Sequence, residues 1–597
     1  MATWIVSLSV LVVIYLIISG LDDLAIDLIW WWQAITRPPV APSVQQLDQT
    51  PEQRIAIFVP LWHEHGVIEQ MLSHNLAAIQ YSCYTVFVGV YPNDPPTLEA
   101  VARAAQRFPN VRIAQVPHPG PTSKADCLNS IYHQMLLDEE AQGFRFETVI
   151  THDAEDIIHP QAFRWINYTM QSQNADFVQI PVLALSTPLL ALTHGIYCDE
   201  FAEMHTRDLT VRCALGAFVP SAGVGTGYSR RALEALAAAD SNHIFIPGCL
   251  TEDYENGLRL NQLGFRQAFV PILKGADGTF VATREYFPQS FWSSVRQRSR
   301  WVTGIALQSW ERNGWRGDWK TRYWFWRDRK GLIGGPLALL TTAMFLAACV
   351  WRPHWSEAPP ALLTLFEVTM ALGIYRIHFR MICVMRVYGG AMAAMVPVRI
   401  FWSNWINGLA TIRAMGQYAS ARFRGKALAW TKTTHEYPTR AALVSHALRI
   451  GEILIQNRIV ERQLVERAEA NRGELRLGEY LVRIHAITEQ QLYQALALQQ
   501  QLPLVAEGPL SIPRKVARAL PTHLIRDWKV IPIAIDEQGV QLCTPEAPPE
   551  ELTAVLRRYT SLVVHFHLIP ASRFEALALA VLHSKVAQRQ LSLAAAE

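Results

Sequence analysis

At 597 residues, 50% of them hydrophobic and 19 of them Trp, the chain carries more apolar material than two or three soluble domains need. A net charge of +3 with no block of Lys or Arg argues against a nucleic-acid partner. Eight scattered cysteines without a CxxC pair fit a reduced compartment and argue against a disulfide framework.

Residues 3–19, TWIVSLSVLVVIYLIIS, are uncharged and long enough to cross a bilayer. No basic leader precedes them and no small-residue cleavage site follows, so residues 1–20 read as a retained anchor rather than a signal peptide. From residue 50 to 330, β-rich runs at 55–60, 85–90, 111–117, 146–153 and 177–185 alternate with helix-length stretches. That alternation predicts a mostly parallel α/β sheet with ligands at the carboxyl ends of its strands. Within it, Asp199, Glu200 and Glu203 read as a polar helix face, and His63 and His65, flanking Glu64, are not read as ligands.

A second apolar run fills 331–351, and a shorter third, holding Glu367, fills 361–375. Basic residues precede the second in YWFWRDRKG and follow the third in RIHFRMICVMR, which by the positive-inside rule places residues 21–330 in the cytoplasm. Residues 390–415 are apolar too, but Arg399, Asn404, Asn407 and Arg413 predict an amphipathic helix lying in the headgroup region. The composition then becomes that of a soluble domain, expected over 441–590. A tandem repeat opens at Arg449 and again at Arg476, and by pattern alone it is two helical hairpins packed together.

The segment THDAEDIIHP, residues 151–160, sets Asp153, Glu155 and Asp156 on one turn after an apolar strand. Crowded carboxylates repel one another, so they are either solvated or share a cation. Mg2+ or Mn2+ on a diphosphate needs only one or two protein carboxylates, because phosphate and water oxygens fill the rest of the shell. TED at 251–253 brings Glu252 and Asp253, either to take a proton from an attacking hydroxyl or to cap a helix. QRSRW at 297–301 offers an Arg for phosphate and a Trp for a sugar face, or simply anchors an interfacial helix.

In this order the three segments resemble the DxD, TED and QxxRW motifs of membrane family-two glycosyltransferases, over residues 50 to about 435. The resemblance implies an α/β GT-A domain over 50–330, then transmembrane and interfacial helices over 331–435, and inverting transfer from a UDP-sugar. It implies Asp153 and Glu155 for metal and nucleotide, Asp253 as base with Glu252 beside it, and Gln297, Arg300 and Trp301 for diphosphate and acceptor. Glu64 in VPLWHEHG matches the first strand-end acid, Asp94 in YPNDPP the uracil position, and Lys124 in PGPTSKAD a place near the phosphates. Gly225 in SAGVGTGYSRRAL belongs to the matching Gly-rich loop. Because Glu155 is followed by Asp156, the metal ligand stays open between them.

The stretches YPNDP, GPTSKADCLN, HDAED, SAGVGT and LTEDY are similar to an inner-membrane subgroup tied to phage adsorption. That similarity implies N-acetylmannosamine as the sugar, a growing exported polysaccharide as acceptor, and an outer-membrane export partner that doubles as a phage receptor. The repeat and the following LPTHLIRDWKVIPIAIDEQGVQLCTP resemble the N-terminal domain of type II secretion ATPases, including the type that binds cyclic di-GMP. Carried over, the ligand positions are Arg449, Ile450, Gly451, Leu454, Leu464 and Asn471, then Arg476, Leu477, Gly478, Leu481, Leu492, Leu496 and Gln499, with cyclic di-GMP as an allosteric activator. Asn471 departs from an expected Gln, and His485 from a turn Gly that favours positive φ. Two other readings stay open: single-sugar transfer to a lipid carrier, and an inactive scaffold in a phage-receptor complex. So few spans for a polysaccharide channel imply homo-oligomerisation or a partner's help.

Overall fold

The computed structural model describes residues 3–276, 278–351, 360–425 and 450–594, the last with short breaks at 457–458, 501, 506–507, 509–511, 518, 537–538 and 561. They divide into two units, Met1–Tyr437 and Pro438–Glu597.

The first unit is built on a seven-stranded sheet. Its strands are β1 (Ile55–Pro60), β2 (Tyr84–Val90), β3 (Val111–Gln115), β4 (Thr148–Thr151), β5 (Phe177–Gln179), β7 (Thr226–Ser229) and β8 (Gln267–Phe269), in the order β3-β2-β1-β4-β7-β5-β8. Ile55 through Val59 are all buried, which is how a parallel strand covered by helices on both faces reads in sequence. All pairings are parallel except those of β7, which runs antiparallel between β4 and β5. The chain entering β7 therefore lies at the edge where β1, β2, β4 and β5 end, and that edge carries the site.

The run 177–185 does not form one strand. The Ile180 N–H donates to Gly225 O at 3.1 Å, Pro181 has no N–H to offer, and the chain turns into β6 (Val182–Ala184), which pairs with β9 (Thr283–Glu285) in a separate two-stranded sheet.

Two helical runs, Trp319–Ala347 and Pro360–Tyr388, are each long and apolar enough to cross a membrane. The second extends well past the expected 375, because Arg376 and Arg380 find a partner in Glu203. The opening helix, Thr3–Thr36, packs along it, with Trp30 edge-on to Phe379. Just beyond the apolar part of that opening helix, Asp22 and Asp23 accept from Lys330 at 2.8 and 2.9 Å, and Asp27 pairs with Arg207 at 2.6 Å.

The stretch expected in the headgroup region forms the helix Val396–Phe423, and its polar groups turn inward. Arg399, fully buried, pairs with Asp199 at 2.6 Å; Asn407 donates to Glu200 at 3.0 Å and Asn404 to Thr342 at 2.9 Å, while Arg413 stays exposed. A Cβ on Gly408 would stand 2.6 Å from Leu339 Cβ, so this helix and Gly331–Trp351 approach backbone to backbone. Asp199, Glu200 and Glu203 are accordingly not a solvated face. Each is held by an Arg distant in sequence, which removes most of the cost of burying a charge.

In the second unit, the repeat forms helices Ile450–Gln456, Arg462–Asn471, Leu477–Arg483 and Glu489–Gln500 around a core that includes Leu454, Val465, Leu481 and Leu492. His485 has φ +57°, the backbone expected where glycine is usual. A three-stranded sheet follows, β10 (Ile531–Asp536), β11 (Gly539–Thr544) and β12 (Val564–Leu568), with β10–β11 antiparallel and β11–β12 parallel.

Candidate active site

Asp153 leaves the end of β4 and its carboxylate meets Lys124 Nζ at 2.5 Å. Lys124 is the first residue of helix Lys124–Gln142, capped by Ser123, whose hydroxyl accepts from the Asp126 N–H. Burial works against the ammonium charge, but Asp153, Glu252 and Asp253 outweigh it and push its pKa up. Glu252 and Asp253 open the helix Glu252–Gln262, where the helix dipole favours negative charge. Burial, then the Asp253 charge, raises Glu252 to about 7 against the pull of Lys124 and Arg300. Asp253 is raised as well, chiefly by burial, with Lys124 and Arg300 opposing. Asp153, Lys124, Glu252, Asp253 and Arg300 therefore share one electrostatic site.

Gly223, with φ +82°, closes this group: a Cβ there would stand 2.6 Å from Asp253 Oδ2 and 3.5 Å from Lys124 Nζ. Gly225, the position carried over from the motif, instead faces inward, where a Cβ would meet Thr283 Oγ1 at 2.5 Å and Ile180 at 2.7 Å.

Asp156 does not join the group either. It is fully buried beneath the turn, where its Oδ2 accepts from the Asp153 N–H at 3.1 Å and lies 2.6 Å from His152 Nδ1. Burial raises the Asp156 pKa and lowers that of His152 to about 3, so the ring is neutral. This carboxyl shapes the turn that presents Asp153, so of the three acids on the turn Asp153 is the one placed on Lys124. Glu155 is 4% exposed.

Asp94, 1% exposed, accepts from the His63 N–H at 2.6 Å, and the Glu64 N–H donates to Thr97 Oγ1 at 3.1 Å. The Asp94 carboxylate and the Glu64 backbone thus tie the loop after β1 to the loop and helix that follow β2. Trp62 packs edge-on to Tyr91 beside Gly120 in the same corner.

Gln297, Arg300 and Trp301 lie on helix Phe291–Trp301. Gln297 Oε1 accepts from Tyr197 OH at 2.9 Å, Trp301 packs edge-on to Tyr197 and Phe287, and Arg300 Nε is buried without a hydrogen bond. A π-helical turn, Val302–Gln308, follows directly. Its Gln308 accepts from the Leu250 N–H at 3.0 Å, and its Gly304 lies against Thr251, so this helix sets the register of the loop carrying Glu252 and Asp253.

Sequence reasoning missed Tyr197, whose OH donates to Gln297, and the buried side chains of Gln179, Thr226 and Ser221, which hydrogen-bond in series beside the Gly223 turn. Gln179 had a signal, since an amide inside the apolar run FVQIPV has to find its hydrogen bonds indoors.

Bacteriophage adsorption protein B of Escherichia coli (strain K12) is 34% identical over 595 residues, taking in 93% of this chain and 80% of that protein. The chain belongs to the bacteriophage adsorption protein B family. A model described as glycosyltransferase like family 2 matches residues 51–304, so the sheet and its loops are a GT-A glycosyltransferase domain. Bacteriophage N4 adsorption protein B of Escherichia coli O157:H7 matches to the same extent. Among solved structures, the mannosyltransferase PcManGT from Pyrobaculum calidifontis, in complex with GDP-Man and Mn2+, is 16% identical over 66% of this chain and 98% of that one, at a TM-score of 0.40. MshE with cdg is 21% identical over 22% of this chain and 98% of that one, at 0.20.

In the second unit, Leu454 and Leu481 are fully enclosed, Leu477 and Leu492 nearly so, and Ile450, Leu464 and Leu496 pack partly exposed around them. A Cβ on Gly451 would meet Val465 at 2.9 Å, and Gly478 lies against Leu492. Asn471 and Arg476 are exposed and Gln499 is partly so; Arg449 lies outside the described residues.

Proposed function

We propose that this adsorption protein B-type transferase is an inverting enzyme of the inner membrane, its catalytic and C-terminal units cytoplasmic, that adds sugar from a UDP donor to a growing exported polysaccharide. What supports the reading is the mutual electrostatic influence of three carboxylates and two cationic side chains from segments far apart in sequence, with Gly223 against Asp253 and Lys124.

Among the described residues, no three His, Cys, Asp or Glu side chains converge closely enough to hold a metal unaided. The donor set nevertheless fits a divalent cation that takes most of its shell from a diphosphate, because the acids Asp153, Glu252 and Asp253 outnumber the cationic side chains Lys124 and Arg300 that act on them. Asp153, with Glu155 on the same turn, would hold Mg2+ or Mn2+, which when bound would neutralise charge on the departing diphosphate.

The chain's own residues would do the rest. Lys124 and Arg300 face the diphosphate. Asp253 takes the proton of the acceptor hydroxyl, whose oxygen bonds to the anomeric carbon from the face opposite UDP, while the bond to the diphosphate oxygen breaks and its electron pair leaves on UDP. Inversion follows. The second unit would bind cyclic di-GMP between its two hairpins and activate transfer; N-acetylmannosamine as the sugar and an outer-membrane export partner belong to the same reading.

The test is UDP release by the purified full chain against a panel of UDP-sugars, with Mg2+ or Mn2+, with and without cyclic di-GMP. Release from one donor is expected, increased by cyclic di-GMP and lowered about 10²- to 10⁴-fold in Asp253→Asn. Equal release by wild type and Asp253→Asn would refute the assignment of the base, and release indifferent to cyclic di-GMP would refute the regulation.

A further inference from the structure

Gln179 ends β5, is fully buried, and uses every valence of its amide on the turn that enters β7. Its NH2 donates to Ile180 O at 2.8 Å and Val224 O at 3.0 Å, both of which can only accept, and this fixes which way the amide faces. Its Oε1 accepts from the Ala222 N–H at 2.9 Å and from Thr226 Oγ1 at 2.7 Å.

Because Oε1 cannot donate, the order of protons along the neighbouring hydroxyls is fixed too. Thr226 donates to Gln179; Ser221 Oγ, 2.8 Å from Thr226 Oγ1, donates to Thr226; and the Gly223 N–H donates to Ser221 Oγ at 3.0 Å. The result is a one-directional chain from Gly223 to Gln179, each link strengthening the next. Gly223 is the residue whose missing side chain leaves room for Asp253 and Lys124.

We propose that Gln179 is a positioning residue: through Thr226 and Ser221 it holds the Gly223 turn at the height above Asp253 and Lys124 that sugar transfer requires. The role in transfer rests on the function proposed above. A charged replacement cannot serve, since Glu accepts but has nothing to donate to Ile180 O and Val224 O. An apolar one removes the bonds that Gln179 gives to Ile180 O and Val224 O and takes from the Ala222 N–H and Thr226.

The experiment compares wild type, Gln179→Met, Gln179→Glu and Ser221→Ala as full chains in detergent. It reads amide hydrogen exchange over 219–228 and the kinetics of UDP release from whichever UDP-sugar wild type turns over. Gln179→Met and Ser221→Ala are expected to speed exchange over 219–228 by about tenfold or more while β4 is unchanged. They are also expected to lower kcat by about ten- to a hundredfold with donor KM nearly constant. Gln179→Glu, which sets a carboxylate oxygen against Ile180 O and Val224 O, is expected to be affected at least as strongly. Unchanged exchange in both Gln179→Met and Ser221→Ala would overturn the proposal, as would a kcat loss that only tracks the loss of folded protein. Should Gln179→Met fail to fold, Ser221→Ala, the loss of one hydroxyl, decides alone. Should wild type release nucleotide from no donor, the proposed function falls, and the exchange data still decide whether Gln179 holds the turn.

Discussion

Replacing Glu252 by Gln probes the crowding of charge around Lys124. Glu252 is 4% exposed, and burial together with the Asp253 charge lifts its pKa from 4.5 to about 7. An acid that holds its proton more tightly in the folded state costs stability as pH rises. Below the ordinary value both states are protonated and nothing is lost. Between about 4.5 and 7 the unfolded chain releases its proton first, and stability falls; above 7 the whole cost is present. A tenfold change in proton affinity is worth about 1.4 kcal/mol, so the cost is on the order of 3 kcal/mol. Gln has the same shape and no charge, so the variant should match wild type near pH 4 and exceed it by up to about 3 kcal/mol at pH 8. Thermal unfolding of both proteins in detergent from pH 4 to 8.5 reads the difference, in which titrating groups remote from Glu252 cancel. A variant that runs parallel to wild type, or is less stable at pH 8, would refute the idea that Glu252, Asp253 and Asp153 share one charge-crowded site.

Two further substitutions follow from the packing. Gly223→Ala forces a Cβ to within 2.6 Å of Asp253 Oδ2 at φ +82°, so transfer should drop at least about tenfold with roughly 1 kcal/mol of stability lost; kinetics and Tm report the two separately, and a fully active variant would contradict the placement of the turn. Arg399→Leu strands the buried Asp199 carboxylate and should cost about 3–5 kcal/mol, most of it recovered in the Asp199→Leu/Arg399→Leu double variant; if the double variant is no better than the single, the cost lies in the lost contacts of Arg399 itself, such as that to Met392 O, and not in a stranded Asp199.

The sheet was legible because alternating apolar runs and helix-length gaps leave few topologies open, and the acids of 153–156 and 252–253 drew attention because crowded carboxylates repel one another. What local pattern could not supply was direction. Asp153 and Asp156 are chemically alike and three positions apart, yet one reaches Lys124 and the other lies under the turn against His152, a difference set by the turn's geometry. The polar residues of 390–415 suggested lipid headgroups because their partners, such as Asp199 for Arg399, lie 200 residues away. Nor does any periodicity announce the π-helical turn after Trp301, which arises where Gly304 fits against Thr251. Gly225 and Gly223 differ in the same way: both have positive φ, but only the second faces the acids.

The most direct test of the site is UDP binding to the purified full chain, with Mn2+ and after chelation, in wild type and in Asp153→Asn. Binding that needs the cation and is lost in Asp153→Asn is expected. UDP bound equally well without metal and without the Asp153 carboxylate would contradict a donor site built on that residue.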